Sequence, residues 1–240
     1  MEKVKIGNSS LKFKTDYAEL NLIEFINLYN ISHEIERLAA KPDTLENRFN
    51  LTKLLVRQLV NLSVRKNKAL KVLEQTEGLG FSGISQINNA IQSSFPDFKV
   101  YYESIKPVNS FYIKSKDSIL PTKFKIYTLD EVTVYREAMM LQYLTLLDKL
   151  HLKILNSGWE NLLKFVAVAC VRYSEVKEVA SEGKSFIKRS SRVEVTYREY
   201  VAKLDIESDR NMERFKNLKF TTALGLLKYY TDLKKNNRKL

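Results

Sequence analysis

Two stretches of the chain run through the same succession of signals, and that order limits the fold more than any single motif does. Each begins with an alternating strand containing Lys-Phe-Lys, passes through an amphipathic helix, opens a second helix with Glu-Asn and opens a further helix with Phe followed by a hydroxyl residue. The first pass uses Lys12-Phe13-Lys14, Glu46-Asn47 and Phe81-Ser82; the second uses Lys123-Phe124-Lys125, Glu160-Asn161 and Phe220-Thr221. From Lys12 to Glu46 is 34 residues and from Lys123 to Glu160 is 37, which agree within a short loop. From Glu46 to Phe81 is 35 but from Glu160 to Phe220 is 60, so a second copy needs an insertion, placed in the basic stretch 175–198. Two readings stay open: a degenerate duplication, or signals that a helical chain repeats by chance.

Seven glycines and four prolines in 240 residues leave few obligatory turns, which favours long helices. The expected fold class is therefore α+β, helix-dominated with a small antiparallel sheet, and two degenerate copies of a ββαα(α) unit are one way to build it. Residues 1–95 form the expected N-terminal hairpin and helical unit. Residues 96–240 carry strands, a second helical unit, the basic insertion 175–198 and a basic C-terminal tail.

Val4–Ile6 and Leu11–Lys14 alternate around Gly7-Asn8-Ser9-Ser10 and predict a hairpin. Asn21 with Glu24 three residues on predicts a capped helix that stops before Lys41-Pro42, since the residue before proline is pushed out of helical geometry. Asp43 or Thr44 then caps a helix with Leu45, Phe49, Leu55, Leu59 and Leu62 as its apolar positions and Lys53 and Arg57 on its other face. A third segment covers 65–77, and Ile84, Ile87 and Ile91 suggest a short helix. Phe98–Tyr102, Ser110–Lys114 and Lys123–Tyr127 alternate like strands that could join the N-terminal hairpin in one sheet. One long helix is expected over 130–155, and Ser157 with Glu160 predicts a capping box for the most apolar helix, through Trp159, Leu163, Val166, Ala169 and Cys170. Val193–Tyr197 alternates like a strand or extended arm, and 209–216 and 221–234 read as closing helices.

The net charge of +12 is uneven: residues 184–240 hold fifteen Lys/Arg against seven Asp/Glu, and the remaining 183 residues carry only +4. A basic end suits an acidic partner, either nucleic acid or an acidic protein surface. Lys184, Lys188, Arg189, Arg192 and Arg198 interleave with Phe186, Tyr197 and Tyr200, so phosphate contacts could alternate with stacking faces. The same charges also suit a solvated helix face diluted by Glu194, Glu199, Asp205, Glu207 and Asp209. Residues 1–10 lack the apolar stretch of a signal peptide, and the apolar run 162–171, broken by Lys164, is too short to cross a bilayer. The expectation is a soluble protein with no membrane partner and no signal-peptide export.

Enzyme chemistry is weakly represented. Gly78-Leu79-Gly80-Phe81-Ser82-Gly83 fits G-x-G-x-x-G, with Glu103 twenty residues beyond Gly83 at the end of an apparent strand. Glu77 would face the phosphates, however, and no further βα units follow; glycines that end one helix and shape the next turn account for the pattern. His33 and His151 are the only histidines and do not have zinc-site spacing. Cys170, the single cysteine, lies among Val, Ala and Phe and reads as a buried inert thiol. No catalytic, cofactor or metal residue is expected.

The start Val4-Lys5-Ile6-Gly7-Asn8, leading through Leu11-Lys12-Phe13 to Leu22-Ile23-Glu24-Phe25-Ile26, carries a resemblance. So do Leu162-Leu163-Lys164-Phe165-Val166-Ala167 and Arg214-Phe215-Lys216-Asn217-Leu218, which runs into Ala223-Leu224-Gly225-Leu226-Leu227-Lys228-Tyr229-Tyr230. In these segments the chain resembles tailed-bacteriophage tail-assembly or tail-accessory proteins. The resemblance implies a non-enzymatic structural or assembly protein, in the virion or host cytoplasm, that binds other phage proteins and could be oligomeric. The expected partner-binding residues are the charged ones outside the repeat: Lys184, Lys188, Arg189, Arg192, Arg198, Lys234, Lys235, Arg238 and Lys239. The alternative is a nucleic-acid-binding protein acting through the basic C-terminal region, and a third reading is a dinucleotide-binding enzyme.

Overall fold

The computed structural model describes residues 1–6, 8–75, 80–114, 120–126, 134–151, 159–171 and 189–237; for 74–75, 134–135, 145–151, 189–201 and 234–237 it describes the backbone alone. The described residues are helix-dominated with two small antiparallel sheets, an α+β architecture. They fall into two compact units: one comprises 1–105 together with 219–221, and the other the remaining described residues from 106 on.

In the first unit, β1 (Glu2–Ile6) pairs antiparallel with β2 (Ser9–Phe13), with Ile6 opposite Ser9 and Glu2 opposite Phe13. The inward face carries Ile6, Leu11 and Phe13, each at most 3% exposed. A 3-10 turn, Tyr17–Glu19, leads to α1 (Leu22–Ala39). Here the sequence rule is realised in full: the Asn21 side chain accepts the Glu24 N–H at 2.8 Å while Glu24 accepts the Asn21 N–H at 3.1 Å. Thr44, rather than Asp43, caps α2 (Leu45–Leu62) by accepting the Asn47 N–H. Then follow α3 (Lys66–Gln75), α4 (Phe81–Ser93) and α5 (Phe98–Ser104).

Helix α5 corrects the strand expected at Phe98–Tyr102. Alternating Phe98, Val100 and Tyr102 imitate a strand, but Asp97 accepts the Val100 N–H at 3.0 Å and so starts a helix. The aromatic residues pack one side of this unit. Tyr17 lies 5.0 Å from both Phe95 and Tyr101 and 5.4 Å from Phe98, while Phe220 stacks on Phe25 with ring centroids 3.6 Å apart. Phe220 is held there by its N–H to the Leu20 carbonyl at 3.0 Å.

In the second unit, β3 (Ser110–Ile113) and β4 (Thr122–Lys125) form a separate antiparallel hairpin. The single sheet expected from all the strands is therefore two sheets, each with two strands. Phe111 faces Phe124 across the pair, and both meet the Phe215 ring edge-on at 5.1 and 4.9 Å. The helices are α6 (Val134–His151), α7 (Glu160–Ala169), α8 (Arg189–Phe215) and α9 (Phe220–Asn237). The residue at the N-cap of α7 is Trp159, which makes no side-chain cap bond; the capping box expected of Ser157 and Glu160 rests on Ser157, which lies outside the described residues. The strand or arm expected at Val193–Tyr197 is instead helical, the first third of α8. Its β-branched residues adjoin a long run of helix formers, and adding residues to a formed helix outweighs a weak strand preference.

Gly225 sits inside α9 because the chain at 106–108 crosses it closely. A Cβ there would lie 2.9 Å from Val108 Cγ2 and 3.0 Å from the Lys106 carbonyl oxygen, where the Val108 N–H donates to the Gly225 carbonyl at 2.9 Å.

The repeated signals fall at corresponding points of these elements. Phe13 and Phe124 lie on the second strand of each hairpin; Glu46-Asn47 and Glu160-Asn161 open α2 and α7; Phe81 and Phe220 open α4 and α9.

Candidate functional site

A groove of about 990 Å³ in the first unit is bounded by α1, α2, α3 and α4. Helical periodicity builds each wall. On α1 the lining residues are Asn27, Asn30, Ile31 and Glu34, a stripe at spacings of three and four. On α2 they are Phe49, Thr52, Lys53, Val56, Arg57, Val60 and Asn61, the same spacing continued over more than three turns. Lys66, Leu70 and Leu73 of α3 and Ile84 of α4 close the far side.

The floor is ordered and apolar. Ile31, Leu73 and Ile84 are buried, and Asn61 is fixed by donating to the Glu24 carbonyl at 2.8 Å. The rim is different: Phe49 is 59% exposed and Leu70 41%. Phe49 and Leu45 were expected on the apolar stripe of α2 with Leu55, Leu59 and Leu62; those three are buried, whereas Leu45 is 87% exposed. The stripe of α2 is wider than one core can cover, and its N-terminal part faces solvent. Lys53 Nζ lies 4.2 Å from the Phe49 ring centroid, a cation–π contact that holds the exposed ring beside a positive charge.

At the N-terminus of α1 stands a charged cluster. The Glu24 carboxylate, 6% exposed, takes Lys14 Nζ at 2.6 Å and Lys66 Nζ at 3.0 Å in addition to the Asn21 N–H. Burial alone would raise its pKa, but the hydrogen bonds from Lys14, Asn21 and Lys66 outweigh that and hold the carboxyl below its ordinary range. Lys66 is thereby tied down at the edge of the groove.

The second unit has a buried ionic feature of its own. From Phe165 on helix α7 is buried, and so are Cys170 and Val171 beyond it, so its last carbonyls are enclosed by protein. Arg136 of α6, 2% exposed, donates Nε to the Val168 carbonyl at 3.1 Å and Nη2 to Ala169 at 2.7 Å; Asn211 of α8 donates to Ala167 at 3.1 Å. Next to them the Cys170 thiol is fully buried and pushed up to about 12 by that burial, against a smaller opposing effect of the Arg136 charge. A thiol in that state is a packing group and not a nucleophile, as the sequence suggested. Sequence reasoning passed over Arg136 and Asn211. The signal that could have found them is the unbroken apolar run from Phe165 to Val171 at the end of the helix, which obliges neighbours to supply polar caps.

Five of the sequence-derived partner residues lie on two described helices. Arg189, Arg192 and Arg198 lie on α8, where about 100° per residue puts Arg189 and Arg192 on neighbouring positions and Arg198 half a turn from Arg189. Lys234 and Lys235 lie in the last turn of α9. Lys184, Lys188, Arg238 and Lys239 are outside the described residues. Glu103, the carboxylate that a dinucleotide site would need at a strand end, is on helix α5, and Gly80 is the N-cap of α4; Gly78 is outside the described residues. The β-strand on which that reading depended is therefore missing from Phe98–Tyr102. His33 is half-buried on α1, with Nδ1 shielded from solvent. The side chain of His151 is outside the described residues. Among the described residues, no group of three or more His, Cys, Asp and Glu is placed to hold a metal, and no helix is long and apolar enough to cross a membrane.

Comparison with protein-family models, curated proteins and solved structures finds no match to this chain.

Proposed function

We propose that the protein is a non-enzymatic binding factor, of the phage structural or tail-assembly kind that its two ends resemble, and that the α1–α4 groove receives a segment of its partner. The observation that carries this reading is the pairing of an ordered apolar floor with Phe49 and Leu70 left exposed at the rim. Burying such side chains against a partner would contribute about 1.5–3 kcal/mol each. Lys53 and Arg57 on the same wall favour a segment with apolar anchors and acidic flanks, such as one face of an amphipathic helix. That occupant also suits the positive charge of the chain as a whole.

Photo-crosslinking in the phage-infected host tests it. A crosslinking residue at Phe49 or Leu70 should give adducts with one defined phage protein, and Val56→Asp should abolish them while leaving the circular dichroism and melting temperature unchanged. Adducts from neither position, or the same adducts from the exposed control Tyr112 of the second unit, would sink the reading. Mass spectrometry of purified particles then separates its two forms. Fixed stoichiometry in the particle means a structural component, and absence with a co-purifying tail protein means a chaperone.

A further inference from the structure

The repeated Lys-Phe-Lys takes the same placement in both hairpins. Phe13 and Phe124 are buried while Lys12 and Lys123 are exposed, as the two-residue alternation of a strand requires. What differs is the residue across the strand pair. Lys12 faces Lys3 in the first hairpin, whereas Lys123 faces Tyr112 in the second.

Tyr112 is 62% exposed although its neighbour Phe111 is 6% exposed. Lys123 Nζ lies 5.9 Å from the Tyr112 ring centroid, so a cation and an open ring face are held together. Lys125, exposed, comes two residues later, about 7 Å further along the same face. Lys114 is exposed just beyond the end of β3. The described residues 106–114 and 120–126 contain four lysines and no Asp or Glu; the stretch 115–119 adds one of each, Lys116 and Asp117. Among the described residues no carboxylate pairs with Lys106, Lys114 or Lys123.

The hairpin is also fixed from behind. Phe111 and Phe124 pack on the Phe215 ring, and the chain on either side is tied by Val108 N–H to the Gly225 carbonyl and Ile126 N–H to the Asn109 carbonyl, both at 2.9 Å. A ring presented on a rigid support loses little freedom when a ligand covers it.

We propose that the outward face of β3–β4 is a contact surface for single-stranded nucleic acid. Tyr112 stacks on an unpaired base, and Lys123 and Lys125 meet the phosphates beside it. The combination of ring and charge selects this occupant. An acidic peptide would use the lysines and leave the ring without a flat partner. A duplex would offer phosphates but keep its base faces stacked inside. This surface lies outside the basic segment 184–240, and it is independent of the α1–α4 groove and of what that groove binds.

The test is fluorescence anisotropy of the full chain with labelled oligo(dT), oligo(rU), a duplex of the same length and polyglutamate, at physiological ionic strength. A single strand should bind more tightly than duplex or polyglutamate, and the tighter of oligo(dT) and oligo(rU) identifies DNA or RNA as the source. Tyr112→Thr keeps a strand-forming residue but removes the ring, and should weaken single-strand binding at least about tenfold, whereas Tyr112→Phe should stay within about twofold of wild type. Lys123→Gln should lower the slope of log affinity against log salt by about 0.7, the share of one phosphate contact on a single strand. Lys3→Gln, at the matching place in the first hairpin, should leave single-strand affinity within about twofold, since a screened charge without a ring adds little. If Tyr112→Thr lowers the melting temperature, the salt slope of Lys123→Gln, measured with the ring in place, decides. Absence of single-strand binding, equal affinity for duplex or polyglutamate, binding unchanged in both Tyr112→Thr and Lys123→Gln, or an equal loss in Lys3→Gln would each overturn the proposal.

Discussion

The two units solve the same problem, a helix end enclosed by protein, with opposite charges. In the first, an acid serves a helix N-terminus: Glu24 accepts the Asn21 N–H and is neutralised by Lys14 and Lys66. In the second, a cation serves a helix C-terminus: Arg136 donates to the Val168 and Ala169 carbonyls. Each choice agrees with the helix dipole. Their surroundings differ, since Lys66 is 47% exposed in its side chain whereas Arg136 is 2% exposed as a residue. The lesson is that the acidic device can be titrated and screened by salt, while the guanidinium device behaves as part of the core.

Substitution of Arg136 should break the comparison most severely. Arg136→Ala leaves two buried carbonyls without their donors and a void beside α7, and should cost about 3–5 kcal/mol, read as a drop in the urea midpoint. A loss under about 1 kcal/mol would mean that the α7 carbonyls find other donors. Glu24→Gln should cost less, about 2–3 kcal/mol, because Lys66 can turn back to solvent; raising the salt concentration should narrow the gap between wild type and this variant but not the one for Arg136→Ala. Gly225→Ala should follow at about 1–2 kcal/mol, since the new methyl must displace Val108 and the 106–108 backbone.

The smallest effect is pH dependence, and it should carry opposite signs in the two units. The Glu24 carboxyl is lowered in the folded state, so its stabilisation is present above the ordinary glutamate value of 4.5 and is lost as pH falls below that. Asp205 on α8 is raised, by burial and by neighbouring Asp209, so the folded protein takes up its proton more readily than the unfolded chain does. Acidification through that range should relieve the second unit slightly, and the effect is small because Asp205 is largely exposed. Hydrogen exchange measured at neutral and at acid pH should show α1 losing protection while α8 does not. Equal loss in both would remove the distinction.

Much of this was legible from local sequence. The caps at Asn21 and Thr44, the stop before Pro42 and the first hairpin depend on partners a few residues away, which composition and spacing expose directly. The failures are also local in origin. At Phe98–Tyr102 alternating Phe98, Val100 and Tyr102 imitate a strand although Asp97 caps a helix, and at Val193–Tyr197 a short β-branched run conceals the start of a 27-residue helix. The candidate groove was half visible: the α2 stripe could be counted, but which of its turns would stay uncovered could not. Exposure of Leu45 and Phe49, against burial of Leu55 and Leu59, depends on where α1, α3 and α4 cross.

The sequence by itself determined the helix-rich class, the capping residues and the overall positive charge, since each rests on intrinsic propensity or on neighbours within a turn. Tertiary structure alone decided that Arg136 would meet carbonyls 32 and 33 residues away, and that Asn211 would cap a helix 44 residues before it. It also set Tyr112 against Lys123 on the open face of a hairpin whose other face packs on Phe215. A hairpin register can be inferred from its turn, but the elements that cover the hairpin answer to packing of the whole unit, which no local pattern encodes.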